Sequence, residues 1–261
     1  MLVVIRGGGD IATGIALRLY RSGIKVVICE IPVPTAIRRT VCFSEAIRLG
    51  ETAVEGVTAR RAVLEKTPEL LSLGIVPVLT DPAAACAGPL HPDAVVDAIL
   101  AKKNLGTSIH MAPAVICVGP GFTAGTDCHA VVETMRGHDL GRVIYTGSAQ
   151  PDTKIPGLIG GYAGERVLRA PADGVFQGTA EIGSMVSAGD VVGYVEGVPM
   201  ACTISGVLRG LLASGVPVSQ GMKGGDVDPR GRPDLCQRVS DKALAIGGGV
   251  LEALLHLRKP L

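Results

Sequence analysis

The chain has 261 residues, 47% of them hydrophobic and 19% charged, with a formal net charge of +1. No long basic or acidic block breaks that balance, which argues against a nucleic-acid or anionic-membrane surface. No apolar run reaches the ~18 residues that would span a bilayer. Aromatics make up 3%, Trp is absent and Gly numbers 36. The core is therefore Val, Ile, Leu and Ala with many tight turns, a composition suited to α/β layers.

An apolar run at 2–6 stops at Gly7-Gly8-Gly9. From Ile11 the period changes: Ile11, Ile15 and Leu19 share one face and Arg18 and Arg21 another, which predicts a helix ending at Gly23. Residues 25–29 are a second apolar strand, closed by Glu30. A helix is expected over 35–49. Thr67-Pro68-Glu69 predicts a helix start. Residues 75–79 read as a strand that Pro77 pushes toward an edge. Pro92-Asp93 opens an expected helix with Val95, Val96, Ile99 and Leu100 on one stripe. The strand at 114–118 runs into a second glycine loop, Gly119 to Gly125, and a helix is expected from there to about Arg136. Strands alternating with helices predict a Rossmann-like parallel sheet over residues 1–165.

Beyond about residue 165 short apolar runs are cut by glycines, and the segment repeats itself. Gly174, Val175, Gly178, Gly183, Val186, Ser187 and Gly189 recur 32 residues later as Gly206, Val207, Gly210, Gly215, Val218, Ser219 and Gly221. Two copies of one short unit predict a pseudo-twofold β domain over 166–240. A final helix over 241–261, interrupted at Gly247-Gly248-Gly249, is expected to pack back on the body.

The first glycine loop carries the clearest chemistry. A strand must turn at once into a helix while a phosphate approaches backbone N–H groups at the helix start. Gly7, Gly8, Gly9, Asp10, Thr13 and Gly14 are the candidate binding residues. The spacing departs from Gly-x-Gly-x-x-Gly, because Ala12 holds the third place. Glu30 lies where an acid accepts from a ribose 2′-OH and selects NAD, although Arg38 and Arg39 would suit a 2′-phosphate. Arg6 either holds a phosphate or pairs with a carboxylate.

Gly119, Gly121, Phe122, Thr123 and Gly125 are expected to face the same crevice. His129 and Glu133, four apart on the expected helix, would share a face and serve as catalytic acid/base groups. No third ligand accompanies them, so no metal centre is assigned. Asp127 is a candidate N-cap, and Asp81 and His91 are candidate crevice residues. Cys128 reads as a buried structural thiol, with a helix-start reactive thiol as the alternative. The charged run Lys223 to Arg230 is expected to brace a domain interface, with substrate binding as the alternative. Seven cysteines without a Cys-x-x-Cys pair, and no signal peptide, predict a reduced, cytoplasmic protein.

Taken together, Arg6–Gly14, Gly119–Gly125, His129–His138 and Lys223–Arg230 resemble the selenium-dependent molybdenum hydroxylase system proteins, relatives of xanthine and carbon monoxide dehydrogenase maturation factors. The resemblance covers nearly the whole chain. It implies an accessory role for a molybdenum hydroxylase, with that enzyme or cofactor-handling proteins as partners. The ligand would be a nucleotide or molybdenum cofactor at the glycine loops. The β segment resembles the barrel-sandwich hybrid of biotinyl and lipoyl carriers. Its Glu196–Ala201 tip has no Lys, so covalent biotin or lipoate is not expected. An NAD-dependent oxidoreductase and a non-catalytic scaffold are the alternatives, and self-association is left open.

Overall fold

The computed structural model describes residues 1–258. The chain divides into two compact units: residues 1–32, 42–153 and 239 onward form the first, and residues 33–41 and 154–238 the second.

In the first unit, β1 (Leu2–Arg6), α1 (Asp10–Arg21) and β2 (Lys25–Glu30) follow in that order. Next come α2 (Glu45–Leu49), β3 (Glu51–Val54), β4 (Val57–Ala62), α3 (Thr67–Ser72) and β5 (Val76–Thr80). They are followed by α4 (Ala87–Leu90), β6 (Ala94–Asp97), β7 (Ala114–Val118), β8 (Ala130–Val132) and β9 (Val143–Ile144). The helix α5 (Asp241–Leu257) belongs to the same unit. The strands make one sheet in the order β3-β4-β5-β2-β1-β6-β7-β8-β9. Pairing is parallel from β4 through β8, and antiparallel in the edge pairs β3/β4 and β8/β9.

Pro77 sits in an interior strand. The ladder from β5 to β2 begins only at Val78, so the missing N–H falls before that ladder starts. Helix α1 is buried over most of its length, and α5 packs beside it while also touching β7, β8 and β9. A Cβ on Gly14 would stand 2.5 Å from the Ala243 Cβ, so the two helix backbones meet at that glycine.

In the second unit, β10 (Val167–Arg169), β11 (Gly174–Gly178), β12 (Met185–Val186), β13 (Val191–Val195) and β14 (Val198–Ala201) are followed by β15 (Gly206–Leu211), β16 (Pro217–Val218) and β17 (Lys223–Asp228). They form two four-stranded sheets, β10-β17-β15-β12 and β14-β13-β11-β16. The 32-residue repeat is visible in the pairing: Val186 opposes Gly206, and its counterpart Val218 opposes Gly174. Each copy thus lends its short second strand to the first strand of the other. Phe176, Leu208, Leu211 and Val227 lie in the shared core.

The architecture corrects the expected Rossmann-like parallel sheet followed by a barrel-sandwich domain. What forms is a nine-stranded mixed sheet with two small antiparallel sheets and a C-terminal helix. Three local reversals account for much of the change. Residues 94–97 are a strand where a helix was expected, because Val95 and Val96 are buried between β1 and β7. The second glycine loop leads into β8, not a helix. The helix expected over 35–49 shrinks to Glu45–Leu49, since residues 33–41 depart to the other unit.

The charged run 223–230 becomes β17 and the turn after it, and its acids are buried. Asp226 accepts from Arg166 at 2.5 Å and from Arg209; Asp228 accepts from Arg230 at 2.6 Å and lies 3.5 Å from Arg209. Burial alone would push the Asp228 carboxyl up, but the Arg230 hydrogen bonds and the charges of Arg209 and Arg230 hold it below the ordinary aspartate value. Its stabilisation is therefore complete above that ordinary value and fades as pH falls through the folded one. Asp228→Asn is expected to flatten the acid limb of the urea midpoint plotted against pH, below about pH 4. A limb of unchanged steepness would place the acid sensitivity elsewhere.

Candidate functional site

The carboxyl ends of the parallel strands of the first unit carry one row in register: Leu79, Cys29, Arg6, Asp97, Cys117 and Val131. At its centre the Arg6 guanidinium meets the Asp97 carboxylate at 3.1 Å, with exposures of 3% and 1%. Arg6 also donates to the Thr107 hydroxyl and to the carbonyls of Pro82 (2.9 Å) and Leu105 (3.1 Å). Of the two roles left open for Arg6, pairing with a carboxylate is the one seen. The pair ties the loops after β5 and β6 to the sheet.

The three glycines after β1 do different things. Gly7 has φ +95°, and a Cβ there would press on the Ala98 carbonyl at 3.1 Å. Gly8 leaves no room because the Ser44 amide would stand 2.9 Å from its Cβ. Gly9 has φ −67° and precedes α1 without a side-chain cap. Nothing lies within 4 Å of where its Cβ would be. The chain itself thus requires glycine at 7 and 8, while the space over Gly9, at the start of α1, is open.

The other residues expected around this loop hold it in place. Glu30 accepts from the Gly8 amide at 2.8 Å and the Ile31 amide at 2.7 Å. Burial pushes its carboxyl up against the pull of those two bonds. The Thr13 hydroxyl donates to the Gly8 carbonyl and accepts from the Phe43 amide. Asp10 accepts from the Ile11 amide. Gly14 faces α5.

Around the second loop the chain fills its own space. A Cβ on Gly121 would meet the Lys102–Lys103 backbone at 2.7 Å, and one on Gly119 the Thr134 hydroxyl at 2.9 Å. Phe122 is buried in the core. Asp127 closes a turn by accepting from the Thr123 amide at 2.8 Å and from Asn104 at 3.2 Å. Gly125 donates to the Cys128 carbonyl. Cys128 is fully buried.

His129 and Glu133 flank β8 at its two ends, so about 13 Å of extended chain separates them. His129 accepts from the Val115 amide through Nδ1. Its pKa is depressed by burial and then by His110, against the opposing hydrogen bond from Val115. Glu133 is buried and accepts from the amides of Thr134, Met135 and Gln150. The helix that would have set the two side by side does not form. Asp81 caps the turn into α4, accepting from the amides of Ala85 and Cys86. His91 ends α4 in the left-handed region.

Three cations near Asp10 and Glu133 had no sequence signature. Lys242, at the start of α5, is pulled below the ordinary lysine value by burial and then by Lys102 and Arg136, which outweigh the attraction of Asp10 and Glu133. Arg136 is paired with Asp241 at 2.9 Å. These residues come from three distant segments, and no local spacing links them.

No family model matches the chain. The uncharacterized protein YqeB of Escherichia coli K12 is 53% identical over 257 residues, 98% of this chain and 48% of that protein. The chain thus spans about half the length of the curated relative it matches. Among solved structures, an aspartoacylase family protein from Mesorhizobium loti is 11% identical over 79% of this chain and 58% of that one, with a TM-score of 0.26. A succinylglutamate desuccinylase from a Silicibacter species is 13% identical over 87% of this chain and 84% of that one, also with a TM-score of 0.26. Likenesses this slight transfer no function to the chain. None of these proteins is described as a molybdenum hydroxylase maturation factor. The resemblance to that system, and the selenium-linked accessory role framed on it, are therefore corrected.

Proposed function

We propose that the first unit binds a small phosphate-bearing ligand of the nucleotide class, NAD or similar, over Gly9 at the start of α1. The observation that carries this reading is the open position at Gly9. Its φ is ordinary and no protein atom crowds it, yet a side chain there would occupy the space in front of the α1 N-terminus. The first turn of a helix offers amides and the positive end of its dipole to an anion. The half-buried Lys242 ammonium, crowded by Lys102 and Arg136, gains from a nearby anion. Seven free, buried cysteines support placing the protein in a reducing, cytoplasmic setting. Among the described residues no helix is long and apolar enough to cross a membrane.

The test is calorimetric titration of the full chain with NAD, ATP and inorganic pyrophosphate. At least one probe is expected to bind. Gly9→Val should weaken it by tenfold or more, about 1.4 kcal/mol, with the far-ultraviolet circular dichroism unchanged. Lys242→Gln should act in the same direction. Equal affinity in wild type and Gly9→Val, or no binding of any probe, would sink the assignment.

A further inference from the structure

We propose that Cys29, Asp81 and Cys86 form the site of one thiophilic divalent cation of the zinc class, with an open coordination position facing the neighbouring cavity. Cys29 is the penultimate residue of β2, fixed between Arg6 and Leu79 by the sheet register. Asp81 follows β5, and the turn it caps carries Cys86 back over the strand ends. The two thiols thereby meet at 3.3 Å. A ligand atom from each of the three residues lies within 4.8 Å of the others.

The distances favour a shared cation over a disulfide. A disulfide needs about 2.05 Å between sulfurs. Two thiolates on one tetrahedral zinc, at about 2.3 Å each, stand roughly 3.8 Å apart. The observed separation is nearer the second value and needs about half an ångström of spreading. Two soft thiolates and one carboxylate suit zinc rather than magnesium or calcium. Three protein ligands leave one position for water or substrate, as in catalytic rather than closed structural sites. That position has access: a cavity of about 750 Å³ is lined by Asp81 and Cys86, with Arg61, Glu65 and Thr80 around it.

Loading exchanges protons for the cation. Both thiol protons leave to solvent, each sulfur donates an electron pair, and no oxidation state changes. Without a cation, the hydrogen bond to Cys86 and then burial push the Cys29 thiol up, with the nearby Arg6 charge opposing them.

Full-length protein, reduced and treated with chelator, is titrated with cobalt(II) under anaerobic conditions. One equivalent is expected to develop thiolate-to-cobalt charge-transfer absorption and the intense visible bands of a tetrahedral ion. Two protons should be released per ion, and zinc should bleach the colour. Cys86→Ser should remove the charge-transfer band, and Asp81→Asn should weaken cobalt binding at least tenfold. Cys117→Ser, which removes a thiol that hydrogen-bonds the Cys128 thiol in the same core, should bind as wild type. Circular dichroism checks each variant, and Asp81→Asn keeps the test decisive if Cys86→Ser fails to fold. Absence of the band in wild type, its survival in Cys86→Ser, or unchanged affinity in Asp81→Asn would overturn the proposal.

Discussion

Replacing Asp97 with alanine is expected to cost about 3–5 kcal/mol, because it strands a guanidinium in the interior. Arg6 and Asp97 are both almost fully buried. Asp97 also accepts from the Thr107 hydroxyl at 2.5 Å and from the Ile99 amide at 3.1 Å. Removing the carboxylate leaves those donors and the Arg6 charge without their partner, while the carbonyls of Pro82 and Leu105 supply only neutral acceptors. The same physics predicts a partial rescue. Replacing both members, as Arg6→Met with Asp97→Leu, removes the desolvated charges together and should cost far less than Asp97→Ala alone. Urea midpoints of the two single variants and the double variant decide it. A double variant as unstable as the sum of its singles would show that the pair does not act as a unit.

Two adjacent glycines in α5 should respond to alanine with opposite signs. A Cβ on Gly248 meets nothing within 4 Å, so Gly248→Ala should gain the ordinary helix advantage of about 0.8–1 kcal/mol. A Cβ on Gly249 would collide with the Gly141 carbonyl oxygen and come within 2.9 Å of a Val132 methyl. Both neighbours belong to the sheet side, where backbone has little freedom to retreat. Overpacking of that kind costs about 1–3 kcal/mol or more, which exceeds the helix gain. Gly249→Ala should therefore be destabilising by about 1–2 kcal/mol net. Thermal midpoints moving in the same direction for both variants would contradict this packing of α5 on the sheet.

The glycines of α5 also show where reading the sequence fell short. Gly247-Gly248-Gly249 looks like an interruption, yet the helix runs unbroken from Asp241 to Leu257. Propensity opposes a helix there, but burial decides the matter: a Cβ on Gly247 would meet Arg18 of α1, and one on Gly249 would meet Gly141. The cost of glycine in a helix is offset by the close approach it permits. Likewise Ala-Val-Val at 130–132 is too short a run for period to separate helix from strand. Its place between β7 and β9 settles it as a strand.

Some features were fixed by local chemistry alone. An apolar run, three glycines, a four-residue period and a second apolar run ending in an acid dictate β1, the loop, α1 and β2, because chain entropy and burial leave those residues few other choices. The repeat at an offset of 32 likewise announced two copies of one β unit, which the reciprocal pairing of β12 and β16 displays. The groups that carry chemistry depend instead on residues far apart in the chain. Arg6 finds Asp97 at a separation of 91 residues, and Cys29 finds Cys86 at 57. Lys242 reaches the start of α1 only because α5 returns to the first unit. Short-range pattern governs which element forms. Strand order governs which strand ends become neighbours, and no local spacing encodes it.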